Sequence, residues 1–142
     1  MALSLIAYAL AAASMPAHST QVRHLGANYD VEYRTVVETS ERMHRVAPPS
    51  RPHNMRCRIT ATFSVERHIA KSESAMPMKS MIEPQKVLEK TSYGRCANTE
   101  KRVEELVAAN EGELASFLAR AAEADRPAAL AAIEAAHALA AN

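Results

Sequence analysis

The chain has 142 residues, a formal net charge of +1, two Phe, four Tyr and no Trp. This length suits one domain with one core, and the scarcity of large aromatic side chains predicts that the core is thin. The lack of a known recognition motif argues against a nucleic-acid-binding protein.

An apolar segment begins the chain. Residues 1–14 are almost wholly apolar, Pro16 follows, and Ala17-His18-Ser19 has small residues at its first and third positions. This pattern predicts a signal peptide at residues 1–19, cleaved after Ser19, and a mature domain at residues 20–142 that is periplasmic or secreted. No Lys or Arg precedes the apolar run, so a buried N-terminal helix or a retained anchor is the alternative. No later segment is apolar enough to predict a transmembrane span after cleavage.

Three segments that follow have the alternating pattern of strands. Tyr29–Glu38 places Tyr29, Val31, Tyr33 and Val37 on one face. Asn54–Glu66 alternates without interruption, and its length predicts a bend or a bulge. Gln85–Tyr93 is a weaker third strand. We expect residues 20–28 to be an irregular lead-in, and residues 39–54, which contain three prolines, to be a loop.

The apolar period changes to 3.6 residues after Asn98, which predicts a helix with an apolar stripe from Val103 to Ala121. Gly112 is a weak point of this helix, and a kink or split there is the alternative. Asp125 and Pro127 predict the start of a second helix, because Asp is a good N-cap and Pro fits a first turn. The predicted fold class is α+β. A small antiparallel sheet of about three strands is covered on one face by two C-terminal helices. A homodimer formed through the Ala-rich helices is a further alternative.

Cys57 and Cys96 are the only cysteines. In an exported chain they are expected to form one disulfide, which would tie the central strand to the start of the first helix. A free thiol pair, a thiol metal site or an interchain bridge are the alternatives.

Charge is distributed unevenly along the chain. The segment from Arg42 to Lys71 is basic, and the segment from Glu100 to Asp125 is acidic. Arg56 and Arg58 lie on the polar side of the predicted central strand and make a candidate basic face for an anionic partner. The alternative is that these charges only solvate a strand and a helix.

Met76, Met78 and Met81 form the sharpest local cluster. Thioether sulfurs favour Cu(I) and Ag(I), so these three residues are a candidate soft-metal site, with His53 or His68 as further ligands. The alternative is that the methionines fill gaps in a thin core.

Recognisable catalytic motifs are absent from the sequence. It has only two Asp, no zinc-hydrolase pattern, no nucleophile elbow and no Gly-rich phosphate loop. The leading hypothesis is therefore a small, non-catalytic exported protein that binds an envelope component or a partner protein. The second hypothesis is a Cu(I)- or Ag(I)-binding protein, and the third is a small hydrolase with a His and a carboxylate in hydrogen-bond reach.

Overall fold

In a computed structural model of the chain, residues 15–45, 55–71 and 78–140 are described. Their elements follow one another in this order: β1 Ala17–His24, β2 Ala27–Arg45, β3 Met55–Lys71, β4 Met78–Tyr93, α1 Thr99–Ala109 and α2 Glu111–Ala140. The predicted α+β class, with strands first and helices last, is confirmed. The sheet, however, has four strands in the order β1-β2-β3-β4 and not the predicted three.

Strand β1 is the element that the sequence did not predict. Leu25 and Gly26 both adopt positive φ, at 48° and 81°, and make a two-residue hairpin turn that joins β1 to β2. The pairing runs from His24 with Ala27 to Ala17 with Arg34. Residues 17–19, which end the predicted signal peptide, therefore belong to this strand, and residues 1–14 lie outside the described part of the chain.

Strands β2 and β3 form the long centre of an antiparallel sheet and pair from Tyr29 with Lys71 to Arg45 with Met55. Strand β2 continues past its predicted end at Glu38. The prediction ended there because every later residue of the strand except Met43 is polar, so no strand period is visible. The bulge expected in a long strand lies between β3 and β4. There, Phe63 pairs with Lys86 and Val65 with Ile82, so three residues of β4 stand opposite one of β3.

The hydrophobic core lies between one face of the sheet and the two helices. The sheet contributes alternate residues of β2 and β3, as the period of two predicts. These are Tyr29, Val31, Tyr33, Cys57, Ile59, Ala61, Phe63, Val65 and Ile69. The helices add mostly aliphatic side chains and one aromatic ring, namely Val103, Leu106, Val107, Leu114, Phe117, Leu118, Ala121, Ala122, Ala129 and Ile133.

The two helices divide at Asn110, close to the weak point at Gly112, and not at the predicted start near Asp125. Helix α1 ends at Asn110, whose side-chain amide donates to the Leu106 carbonyl at 2.8 Å. Helix α2 then runs without a break through Asp125 and Pro127. A proline inside a helix removes one backbone hydrogen bond. The buried residues Ala121, Ala122, Ala129 and Ile133 on both sides of it hold the helix against the sheet.

Cys57 and Cys96 form the predicted disulfide, with Cα atoms 5.0 Å apart. Cys57 lies on the core face of β3, and Cys96 precedes α1 by three residues. The bridge therefore connects the central strand to the start of the helical layer, as expected from the sequence.

Candidate functional site

The sheet of this protein has one covered face and one open face. The side-chain contacts between strands and helices come from the core face; they include Lys86–Glu113, Lys90–Glu105 and Ser92–Arg102. The opposite face carries the even-numbered residues of β2 and β3 together with their partners on β4. We call it the open face, because the core residues of both helices pack on the other side; on this face Ser64 and His68 are buried, with 6% and 7% exposure.

A buried polar cluster lies under helix α2 on the core face. Arg67 Nη1 donates to both carboxylate oxygens of Asp125 at 2.7 and 2.9 Å, and Tyr33 Oη donates to Asp125 Oδ2 at 3.1 Å. Burial, followed by the neighbouring Asp125 carboxylate, raises the pKa of Tyr33 to about 12. Each charge in this cluster has a partner, so the cluster is suited to holding α2 on the sheet.

The end of the open face nearest β1 carries paired charges. Arg34 donates two hydrogen bonds to Glu32, from Nε at 2.7 Å and from Nη2 at 2.9 Å. The hydrogen bond from this guanidinium lowers the pKa of Glu32, and the same bond raises the pKa of Arg34. Glu66 and His68 lie side by side on the next strand, with Nε2 of the imidazole against Oε1 of the carboxylate. The charged side chains at this end of the face therefore have polar partners within the sheet.

The other end of the open face is basic, and we call Arg42, His44, Arg56 and Arg58 the basic end. Arg42 is the cross-strand partner of Arg58, and His44 is the partner of Arg56. No acidic side chain in the described part of the chain lies within ion-pair distance of Arg42, Arg56 or Arg58. Arg56 instead stacks on Tyr93, with its Cζ atom 4.9 Å from the ring centroid, and that tyrosine is 81% exposed.

Between the two ends the open face mixes acidic, hydroxyl and apolar side chains: the exposed residues Glu38 and Glu89 are the cross-strand partners of Thr62 and Thr60. Thr60 and Thr62 occupy its centre, and Val36 and Val87 are exposed by 37% and 53%. At the bulge between β3 and β4 the surface contains a depression of about 590 Å³, lined by Ser64, Met81, Ile82, Glu83, Pro84 and Gln85. A sheet face with a depression and several exposed apolar side chains is suited to contact with another molecule.

The open face also carries Ser64, Glu66 and His68, the residue types of a hydrolytic triad. They follow one another along a single strand at every second position. Since a strand rises about 3.3 Å per residue, Ser64 and His68 lie about 13 Å apart along the chain. The Ser64 hydroxyl oxygen instead accepts a hydrogen bond from the Gln85 amide at 3.2 Å. The Ser64 hydroxyl therefore has no direct contact with the His68 imidazole, so these three residues do not support the hydrolase hypothesis.

The two described methionines of the candidate soft-metal site lie on opposite faces of the sheet. Met78 pairs with Ile69 on the core face, whereas Met81 pairs with Glu66 on the open face. Met76 and His53 lie outside the described residues. Within the described part of the chain, no group of three or more His, Cys, Asp or Glu side chains is arranged to hold a metal ion. The copper hypothesis therefore stays a prediction without geometric support from this pair.

The basic segment seen in the sequence is divided by the sheet. Arg56 and Arg58 lie on the open face, as their alternation indicated, but Arg67 lies on the core face and pairs with Asp125. The sequence did not connect Arg42 and His44 with this surface, because residues 39–54 were predicted to be a loop. Beyond Glu38 the only apolar residue of β2 is Met43, and one residue leaves no apolar period to detect. Only the register between β2 and β3 brings them beside Arg58 and Arg56.

Comparison with known proteins adds no functional information for this chain. No protein-family model matches it, and neither the curated proteins nor the solved structures contain a match. In the described residues, no helix has both the length and the apolar character needed to cross a membrane.

Proposed function

We propose that this protein is a small, non-catalytic exported protein that binds an envelope component or a partner protein through the open face of its sheet. The observation that carries the proposal is the one-sided covering of the sheet. Both helices pack on the core face, while the opposite face presents exposed apolar side chains at its centre and unpaired arginines at one end.

The composition of the open face supports a binding role. Val87 and Met81 are more than half exposed on β4, and Val36 lies across the sheet on β2. Isolated exposed apolar residues are ordinary, but here they share one face with an exposed tyrosine and with arginines, the residue types enriched at protein interfaces. The disulfide and the Arg67–Asp125 pair fix the helices on the other side, and the exposed residues of this face lie at its centre and at the basic end.

Site-specific photo-crosslinking in the native cell tests the proposal. A photoreactive amino acid is placed at Thr62 or Val87 on the open face, and in matched variants at Ala119 or Ala131, which are exposed on α2. We expect one recurrent adduct from both open-face positions and none from the helix positions. Identification of that adduct by mass gives the partner. Adducts of equal yield from the helix positions, or none from the open face, would contradict the proposal.

Export is tested separately from binding. An intact mass of the protein from native cells, measured without reduction, distinguishes the chain that begins at Thr20 from the full-length chain. Recovery of a full-length, cytoplasmic protein with two alkylated thiols would contradict the exported part of the proposal.

A further inference from the structure

The basic end has an arrangement that folding alone does not favour. Arg42 and Arg58 are direct cross-strand partners, and like charges in that position destabilise a sheet. The next pair, His44 and Arg56, places a second guanidinium beside an imidazole. The same chain neutralises Arg34 with Glu32 on the other end of this face. An uncompensated cluster beside a compensated one points to a counter-ion supplied by a ligand.

We propose that the basic end binds a phosphate-bearing group, an inference that rests on the open face being the binding surface. Side chains on directly opposed residues of antiparallel strands start about 5 Å apart, so the guanidinium groups of Arg42 and Arg58 can reach one anion. Each guanidinium presents a planar fork of donors that matches a phosphate. A phosphate group has three acceptor oxygens for such forks and neutralises more than one positive charge.

Tyr93 adds a second element to this site. It pairs with Arg56 across β3 and β4, and its ring lies against the guanidinium. The contact orients Arg56 while its N–H groups keep their capacity to donate, since the cation–π interaction uses the face of the plane. The exposed ring therefore stands at the margin of the cluster, where it can contact the molecule that carries the phosphate.

A phosphate fits the site better than the carboxylates of an acidic protein segment. A single carboxylate has two oxygens and one charge, so each arginine would need its own acidic residue at a fixed spacing. The neighbouring Thr91, the β4 partner of Arg58, adds a hydroxyl donor that one phosphate can also accept from. An acidic peptide is accordingly the competing outcome in the test.

The test uses the full chain and two sources of phosphate. Inorganic phosphate is titrated by calorimetry, and in parallel the protein is mixed with phosphatidylcholine vesicles that contain or lack phosphatidic acid, whose headgroup is a phosphate monoester. We expect the parent protein to bind phosphate. The double variant Arg42→Gln, Arg58→Gln should bind about tenfold more weakly, or more weakly still, because it loses charged hydrogen bonds to the phosphate. Binding of free phosphate identifies a soluble ligand. Binding of the anionic vesicles alone identifies a lipid headgroup.

Two matched variants separate a built site from general charge. Arg120→Gln with Arg126→Gln removes the same charge from exposed positions on α2 and should leave binding unchanged. Arg58→Lys keeps the charge but loses the fork, and it should bind several-fold more weakly than the parent protein. Equal loss in the α2 variant would overturn the proposal, as would binding of a poly-glutamate peptide in place of both phosphate sources.

The outcome is distinguishable from failure of the proposed function. The photo-crosslinking reaction at position 87 does not require the arginine side chains. An open-face adduct that persists in the Arg42→Gln, Arg58→Gln protein, together with absent phosphate binding, would remove the phosphate site and leave the binding face intact. Phosphate binding without any open-face adduct would support the phosphate site and contradict the wider open face as a binding surface.

Discussion

Arg67 and Asp125, which are 58 residues apart in the chain, form an ion pair that joins the third strand to the middle of the long second helix. Nη1 and Oδ2 are 2.7 Å apart, and the two side chains are only 11% and 9% exposed. Tyr33 donates to the same carboxylate from the neighbouring strand. One carboxylate on α2 thus holds two strands, and its position decides where the helix rests on the sheet.

Replacing Asp125 with Ala should destabilise the fold by about 3–5 kcal/mol, because the Arg67 guanidinium is then buried without a counter-ion. Urea unfolding followed by circular dichroism measures the change. The matched variant is Glu123→Ala, an exposed acid on the same helix, for which we expect a change within about 0.5 kcal/mol. Similar unfolding midpoints for the two variants would show that the buried pair contributes little.

Replacing Tyr33 with Phe tests the hydroxyl of the same cluster and gives a pH dependence. Below pH 10 the parent protein should be more stable by about 1 kcal/mol, the net value of one hydrogen bond. The pKa of Tyr33 is raised to about 12 in the folded protein, above the value of 10.0 for an unperturbed tyrosine. The folded state therefore holds this proton more tightly, and the stability it contributes is lost as the pH rises from about 10 towards 12.

The measurement is the free energy of unfolding of both proteins as a function of pH. The difference between the parent protein and Tyr33→Phe should be constant up to about pH 10 and should shrink above it. A difference that does not change with pH would mean that the tyrosine titrates alike in the folded and unfolded chains.

The fold was predictable where side chains alternate between apolar and polar. Ile59 to Val65 on β3 and Tyr29 to Tyr33 on β2 have that period, and both strands were found. Strand β1 was not predicted, because its short edge sequence has few apolar residues and its hairpin turn is Leu25-Gly26. The end of β2 was not predicted for the same reason, since a strand with no buried face has no alternation of apolar and polar residues.

The helix break was misplaced because a local signal competed with a tertiary one. Asp125 and Pro127 are typical of a helix start, but Asp125 is occupied by Arg67 and Tyr33 and not by the backbone of a first turn. The candidate site was only half predictable. Arg56 and Arg58 follow from the alternation of β3, whereas their neighbours Arg42 and His44 depend on a strand register that no local pattern encodes.

Replacing both Cys57 and Cys96 with Ala should lower the free energy of unfolding by about 4 kcal/mol, because the bridge closes a loop of about 40 residues in the unfolded chain. Urea unfolding of the variant, compared with the oxidised parent, measures the loss. The reduced parent protein is the control and should unfold near the variant. An unchanged midpoint would show that the core alone fixes α1 on the sheet.

Removing Met15 to Ser19 should lower the melting temperature by about 5 °C or more. The cut takes away three of the eight residues of β1, the His18–Tyr33 ring contact and the Thr35 hydrogen bond to the Pro16 carbonyl. Calorimetry of chains that begin at Met15 and at Thr20 makes the comparison. Equal melting temperatures would mean that Thr20 to His24 suffice for the edge strand, and signal cleavage after Ser19 would then leave the sheet intact.

The opposed arginines of the basic end predict that stability and binding respond in opposite directions to one substitution. Replacing Arg58 with Glu puts a carboxylate opposite the Arg42 guanidinium and removes a repulsion, so the free energy of unfolding should rise by about 0.5–1 kcal/mol. The same change should abolish phosphate binding, because one guanidinium is lost and the other acquires an internal partner. Urea unfolding and calorimetric titration on the same preparation measure both effects.

Arg34→Glu is the control for this last prediction, since it lies on the same face and the same long strand pair. It destroys the bidentate pair with Glu32 and places two carboxylates two residues apart on β2, so it should lower stability and leave the basic end unchanged. Binding sites often contain residues that lower stability, so a repulsive arginine pair that serves a ligand predicts a gain in stability and a loss of phosphate binding in Arg58→Glu. A less stable Arg58→Glu protein, or one that still binds phosphate, would show that the arginines merely solvate the end of the sheet.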